Sequence, residues 1–270
     1  MSHSVTPVTV KRPFVLSGGG ARGYAHLGVL KAFEEQYILP EAIAATSAGS
    51  IAAAFICNGF TTDEVREIFL SSKLAFSMHW RNWRIGFFSL SAVEQVLQRT
   101  LRYTTFEELQ VPLHITATNF ETGAQAVFNK GPLIPAILAA SSVPMVFPPV
   151  EIDKVPYVDG GLSGNLPAEV LAGQYSNIIG VHVNPLTPYN PAGGFLANVE
   201  RTLHMAIREH VLKSKVLCSL FIEPEGLGKF GMFDFKHFDD IYSTALQYTR
   251  HVLQQSPEII TGHHQSTSLS

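Results

Sequence analysis

Two stretches place reactive residue types beside glycine. In the first, Gly18-Gly19-Gly20-Ala21-Arg22-Gly23 follows an apolar run and precedes a helical pattern. Such a loop is a row of backbone N–H groups at a helix N-terminus, and therefore an anion site. The anion can be a phosphate that stays bound or an oxyanion that forms only during a reaction. In the second, Ala45-Thr46-Ser47-Ala48-Gly49-Ser50 closes another apolar run and opens a small-residue helix. Strand, sharp turn, serine, small residue, glycine, helix is the layout of a nucleophile elbow. The turn projects the serine Oγ away from the backbone, and the helix N-terminus behind it favours developing negative charge. Ala45 stands where the usual G-x-S-x-G has its first glycine. Taken alone, Ser47 reads equally well as a helix N-cap.

A serine hydroxyl is weakly nucleophilic without a general base. Asp159 ends a β-like segment and is followed by Gly160-Gly161, so its carboxylate is presented at a turn; a plain turn aspartate is the alternative reading. In Ser–Asp–His chain order the histidine candidates are His182 and His204. His182 lies in an apolar strand run and reads as a core histidine. His204, near Arg201, Arg208 and Glu209, reads as a surface residue. No H-E-x-x-H or Cys/His/Asp cluster points to a metal, and His263-His264 reads as solvated. Cys57 and Cys218 read as buried reduced thiols.

The glycine loop is not a Walker loop, because no Gly-Lys-Ser/Thr closes it. The dinucleotide fingerprint expects an acid at the end of the second strand. Here Glu41 precedes that strand, which ends in Thr46-Ser47. The phosphate reading is therefore set aside.

Positioning these groups requires alternating strands and helices. In the first helix Val29, Leu30, Phe33 and Tyr37 are expected on one side, with Lys31, Glu34 and Glu35 on the other. Thr61-x-x-Glu64, Ser91-x-x-Glu94 and Thr105-x-x-Glu108 have the spacing of capping boxes. "LHITATNFETGAQAVF" alternates with period two around Glu121-Thr122-Gly123 and reads as a hairpin. "NIIGVHVNP" is a continuous apolar run, as in a strand covered on both faces. A long helix is expected through about Lys215, then a strand at "LFIEPE" and a last helix over 238–254. The alternation predicts an α/β fold, a three-layer α/β/α sandwich with a mostly parallel central sheet. A single domain is expected over 1–270, its core about 14–183, with 184–255 packed on it and 256–270 a loose tail.

With 270 residues and 46% hydrophobic composition, the chain can bury a large core. Its net charge of −3 gives no global attraction to nucleic acid, and no nucleic-acid partner is expected. The N-terminal stretch lacks the apolar region of a signal peptide, so a cytoplasmic location is expected. Residues 131–150 are uncharged and as long as a membrane span, but their five prolines point to a short buried helix and a loop.

Glycine loop, elbow serine and Asp-Gly-Gly, in this order, resemble the patatin-like phospholipases. Gly18–Gly23 with Arg22 matches the family's glycine-rich loop, Ala45–Gly49 its elbow with one Ala for Gly, and Asp159-Gly160-Gly161 its D-G-G. "AASSVPMVFPPV" before the aspartate and "GNLP" after it also resemble it. The resemblance implies a lipid acyl hydrolase with a Ser–Asp dyad: Ser47 as nucleophile, Asp159 as base. It implies an oxyanion hole from Gly18, Gly19 and Gly20, with Arg22, Gly49 and Gly160 in support and no metal or cofactor. The base role requires burial that lifts the Asp159 pKa above its ordinary value of about 3.9. The implied partner is a lipid or fatty acyl ester, with peripheral membrane contact through Lys73–Ser91 (Trp80, Trp83, Phe87, Phe88, Arg81, Arg84) or an acyl channel capped by Gly226–Phe238. An ordinary core-packed lid is the alternative for both segments. A small-ester or thioester hydrolase and a non-catalytic acyl-binding protein remain open, as does the oligomeric state.

Overall fold

The computed structural model describes residues 8–72, 80–82, 87–88, 90–188, 194–232 and 234–256. The strands are β1 (Val10–Leu16), β2 (Ile38–Thr46), β3 (Trp80–Asn82), β4 (Phe87–Phe88), β5 (Leu113–Asn119), β6 (Gln125–Phe128), β7 (Val150–Ile152), β8 (Val155–Asp159), β9 (Ile179–Val181) and β10 (Leu220–Ile222). The helices are α1 (Tyr24–Glu34), α2 (Ser47–Cys57), α3 (Thr62–Ser71), α4 (Ser91–Thr100), α5 (Leu133–Ala140), α6 (Gly161–Gly164), α7 (Gly194–Val216) and α8 (Phe238–Gln255).

Eight strands form one sheet. β10, β9, β1, β2 and β5 pair in parallel in that order, as the continuous apolar runs predict. The other half is antiparallel: β6 and β8 pair with β5, and β7 with β8. The fold is the expected α/β sandwich with a mixed sheet. Successive strand residues feed opposite layers. Phe14, Leu16, Ile43 and Ala45 join the core under α1, α2, α5 and α8, while Val15, Ala42 and Ala44 join a second core with Leu166, Leu171 and Val211. Both sheet faces are therefore covered.

The register places the reactive ends together. Thr116 and Thr118 are partners of β6 on one edge of β5. β2 (Thr46 opposite Thr116) and β8 (Asp159 opposite Ala117) must then share the other edge, running in opposite directions. Their C-terminal ends meet head to head, and the residues leaving them are Ser47 and Gly160.

Several local expectations need correction. Tyr37 is half exposed at φ +57°, in the left-handed turn after α1 rather than on its apolar side. α4 starts at Ser91 with Leu90 at the cap position, so Ser91 is inside the helix. Thr61 and Thr105 do form capping boxes, the second over a short 3-10 turn. In the Gly226–Phe238 segment Phe230 and Phe238 are buried, while Met232 lines a cavity beside Ser47. The side chains read as an interfacial patch in Lys73–Ser91 lie outside the described residues, as does His263-His264. Among the described residues no helix is long and apolar enough to cross a membrane.

Candidate active site

Ser47 sits at φ +49°, in the left-handed region, between β2 and α2. L-residues avoid this region unless the surroundings impose it, and such strain gathers at functional positions. Two neighbours impose it here. Gly49 has the Leu16 and Ser17 carbonyls so close that a Cβ would approach them to 2.8 and 2.6 Å. Ser50 Oγ donates to the Ser47 carbonyl at 2.6 Å, closing the first turn of α2. Ala45, the departure from G-x-S-x-G, is fully buried in β2 and packs in the main core.

Ser47 Oγ donates to Asp159 Oδ2 at 2.5 Å. Oδ1 accepts from the Gly161 N–H at 2.7 Å, which fixes the carboxylate plane. Both side chains are buried, at 7% exposure. Desolvation outweighs these two hydrogen bonds and lifts the Asp159 pKa from 3.8 to about 6. Gly160 leaves no room for a side chain, since a Cβ would strike the Thr116 carbonyl and Thr46 Oγ1.

Gly18, Gly19 and Gly20 line the same small cavity as Ser47 and Asp159, together with Val143, Pro144, Leu162 and Met232. Its volume is about 50 Å³. Gly18 differs from its neighbours, because its N–H is already donated to the Asn165 carbonyl at 3.2 Å. Among the described hydrogen bonds none uses the N–H of Gly19 or Gly20, and both residues lie on the cavity wall. Gly20 sits at φ +56° against the Met232 carbonyl, a position only glycine fills without strain.

The loop is braced by residues that motif reading did not find. Asn184 Nδ2 donates to the Gly18 carbonyl at 2.6 Å, and His26 Nε2 bonds the Ser17 carbonyl at 2.8 Å. Burial holds His26 neutral, its pKa near 4, so Nε2–H is the donor. Arg22 is buried and spends its guanidinium on three partners: the Phe230 carbonyl at 2.8 Å, Asn184 Oδ1 at 3.2 Å and Glu200 Oε1 at 2.6 Å. Glu200 also accepts from the Met232 N–H at 3.1 Å, and the Ala21 N–H donates to the Met232 carbonyl at 2.7 Å. Residues distant in sequence thus clamp the loop onto α7 and the segment after β10.

His182 is buried with Nδ1 on Glu223 at 2.6 Å and does not line the Ser47 cavity. His204 needs correction. It is no surface residue but a wall of that cavity, with Nε2 buried and unpaired among the described residues. Its phase was readable: 204, 207 and 211 lie on one helix face, and Ile207 and Val211 are buried. No group of His, Cys, Asp and Glu fit to hold a metal occurs among the described residues.

The sequence and the fold have relatives. The chain is 26% identical to an uncharacterised NTE family protein of Mycobacterium tuberculosis over 91% of its length and 47% of that protein's. A second such protein of that organism is 30% identical over 63% of the chain and 48% of its own length. The chain thus spans about half the length of these curated relatives. Among solved structures, VipD of Legionella pneumophila superposes with a TM-score of 0.55 at 13% identity, over 90% of this chain and 67% of VipD, a likeness of fold. The model of the patatin-like phospholipases matches residues 14–172, which include the glycine loop, the elbow and Asp-Gly-Gly. On that match, over more than half its length, the chain belongs to the patatin-like phospholipase family.

Proposed function

We propose that the protein is a lipid acyl hydrolase that cleaves fatty acyl esters through Ser47 and Asp159, without a metal. The observation that carries this reading is the direct Ser47 Oγ–Asp159 Oδ2 hydrogen bond at 2.5 Å beside two loop amides that no described hydrogen bond uses. Asp159 takes the Oγ proton as Oγ attacks the acyl carbon. The carbonyl oxygen becomes an oxyanion against the Gly19 and Gly20 N–H groups, each such donor supplying roughly 3–4 kcal/mol. Collapse expels the alcohol, which takes the proton from Asp159. Water then attacks the acyl-enzyme with Asp159 again as base, and free acid and Ser47 are restored. An aspartate with pKa near 6 is ionised at neutral pH yet basic enough for both transfers.

The apolar cavity wall supports an acyl substrate. At about 50 Å³ the cavity has to widen for a long chain, and Met232 and Leu162 are the side chains placed to move. The testing experiment is hydrolysis of acyl esters from two to sixteen carbons by wild type, Ser47→Ala and Asp159→Asn. The expected result is activity that rises with chain length and falls by at least about 10³ in both variants. Activity confined to short esters would favour a small-ester hydrolase.

A further inference from the structure

α7 turns Glu200, His204, Ile207, Val211 and Ser214 towards the sheet. His204 is the member whose polarity nothing explains: Nε2 has neither solvent nor a hydrogen-bond partner among the described residues. Buried polar atoms in native folds are ordinarily paired, so an orphan calls for a ligand or a cost. Its position suggests the ligand. Besides the Ser47 cavity it walls two adjoining chambers of about 420 and 270 Å³, and the larger shares Asn184, His204 and Ile207 with the Ser47 cavity. In the proposed reaction the acyl oxygen has the loop amides and the departing oxygen has Asp159. The polar atoms further along the alcohol have no assigned partner.

We propose that His204 donates Nε2–H to an acceptor oxygen on the alcohol half of the ester, and so selects oxygen-bearing alcohols over hydrocarbon ones. The inference rests on the reading of Ser47 and Asp159 given above. Desolvation first, and then the charge of Arg22, hold the imidazole neutral with a pKa near 3, so it carries a single N–H, which the proposal places on Nε2. A hydrocarbon alcohol leaves Nε2 unpaired, as it is without substrate. An ether or ester oxygen satisfies it only once bound. The larger chamber offers room for that half beyond the serine.

The test compares two esters of one long acyl chain, 2-methoxyethyl and butyl, which match in length and differ in one acceptor oxygen. Wild type is expected to favour the 2-methoxyethyl ester about tenfold in kcat/KM. The ratio should fall to the small preference that the electron-withdrawing ether oxygen gives in alkaline hydrolysis of the two esters in His204→Phe and His204→Ala, and be kept in part by His204→Gln, which retains an N–H. A ratio taken within one variant cancels any loss of folded protein, so a purely structural role would not move it. No preference in wild type beyond that of alkaline hydrolysis, or an undiminished preference in His204→Phe, overturns the proposal while leaving the serine reading in place. Hydrolysis of neither ester by wild type, together with no fluorophosphonate adduct on Ser47, overturns both.

Discussion

Asp159 is held in two conflicting ways, and the conflict is useful. Its hydrogen bonds to Ser47 and Gly161 favour the carboxylate, but full burial disfavours it more. Between about pH 4 and 6 the folded chain keeps a proton that the unfolded chain has released. Stability therefore falls as pH rises through that window, and the ionised group at pH 7 costs on the order of 1–3 kcal/mol. Asp159→Asn should be inactive yet at least as stable as wild type at pH 7.5, with the difference shrinking as pH falls from about 6 to 4; thermal melts across pH check this. The same titration should appear in catalysis. With an uncharged ester, kcat/KM should lose about tenfold per pH unit below an apparent pKa near 6, and a flat profile to pH 4.5 would count against Asp159 as base.

The elements that position these groups do so by register and close approach. β2 and β8 bring Ser47 and Asp159 together because both occupy one edge of β5. Ala45 belongs to this frame: its methyl is buried in the core, so Ala45→Gly should cost about 1–2 kcal/mol in denaturant unfolding without raising activity. A rise in kcat would mean that the methyl strains the elbow. The clamp on the glycine loop should matter for catalysis as well as stability. Arg22→Met leaves Glu200 with the Met232 N–H as its remaining partner and frees the loop, with an expected loss of about 3 kcal/mol in stability and a lower kcat. Arg22→Met, Glu200→Leu should recover part of the stability and little of the rate.

This is also where sequence and structure part company. The serine, the aspartate and the loop were legible because each needs glycine next to it, and glycine patterns are local. The parallel half of the sheet was legible from apolar runs, whereas the antiparallel β8–β7 extension depends on which edge of β5 is vacant, which no local pattern states. Glu200, Asn184 and Met232 were not legible as a brace, because they meet Arg22 and the loop only through the fold. His204 was misread because neighbouring charges outweighed its helical phase with Ile207 and Val211.

At the scale of the whole molecule, the Ser47–Asp159 pair lies beneath exposed apolar side chains. Leu162 lines the Ser47 cavity and is 40% exposed, and Met145, beside the cavity-lining Pro144, is 69% exposed. Exposed apolar groups at the mouth of a narrow cavity suit a substrate delivered from a lipid aggregate. Met145→Glu and Leu162→Glu should therefore lower turnover of vesicle-borne esters several-fold more than turnover of a soluble short ester. Equal effects on both would remove any role for the rim in lipid capture. The central claim, however, is chemical: one activated serine next to one buried aspartate. Its most direct measurement is intact mass and peptide mapping after a fluorophosphonate probe, with and without mild detergent. A single adduct on Ser47, lost in Ser47→Ala and strongly slowed in Asp159→Asn, is the predicted result. An adduct on another residue, or none under either condition, would contradict the account.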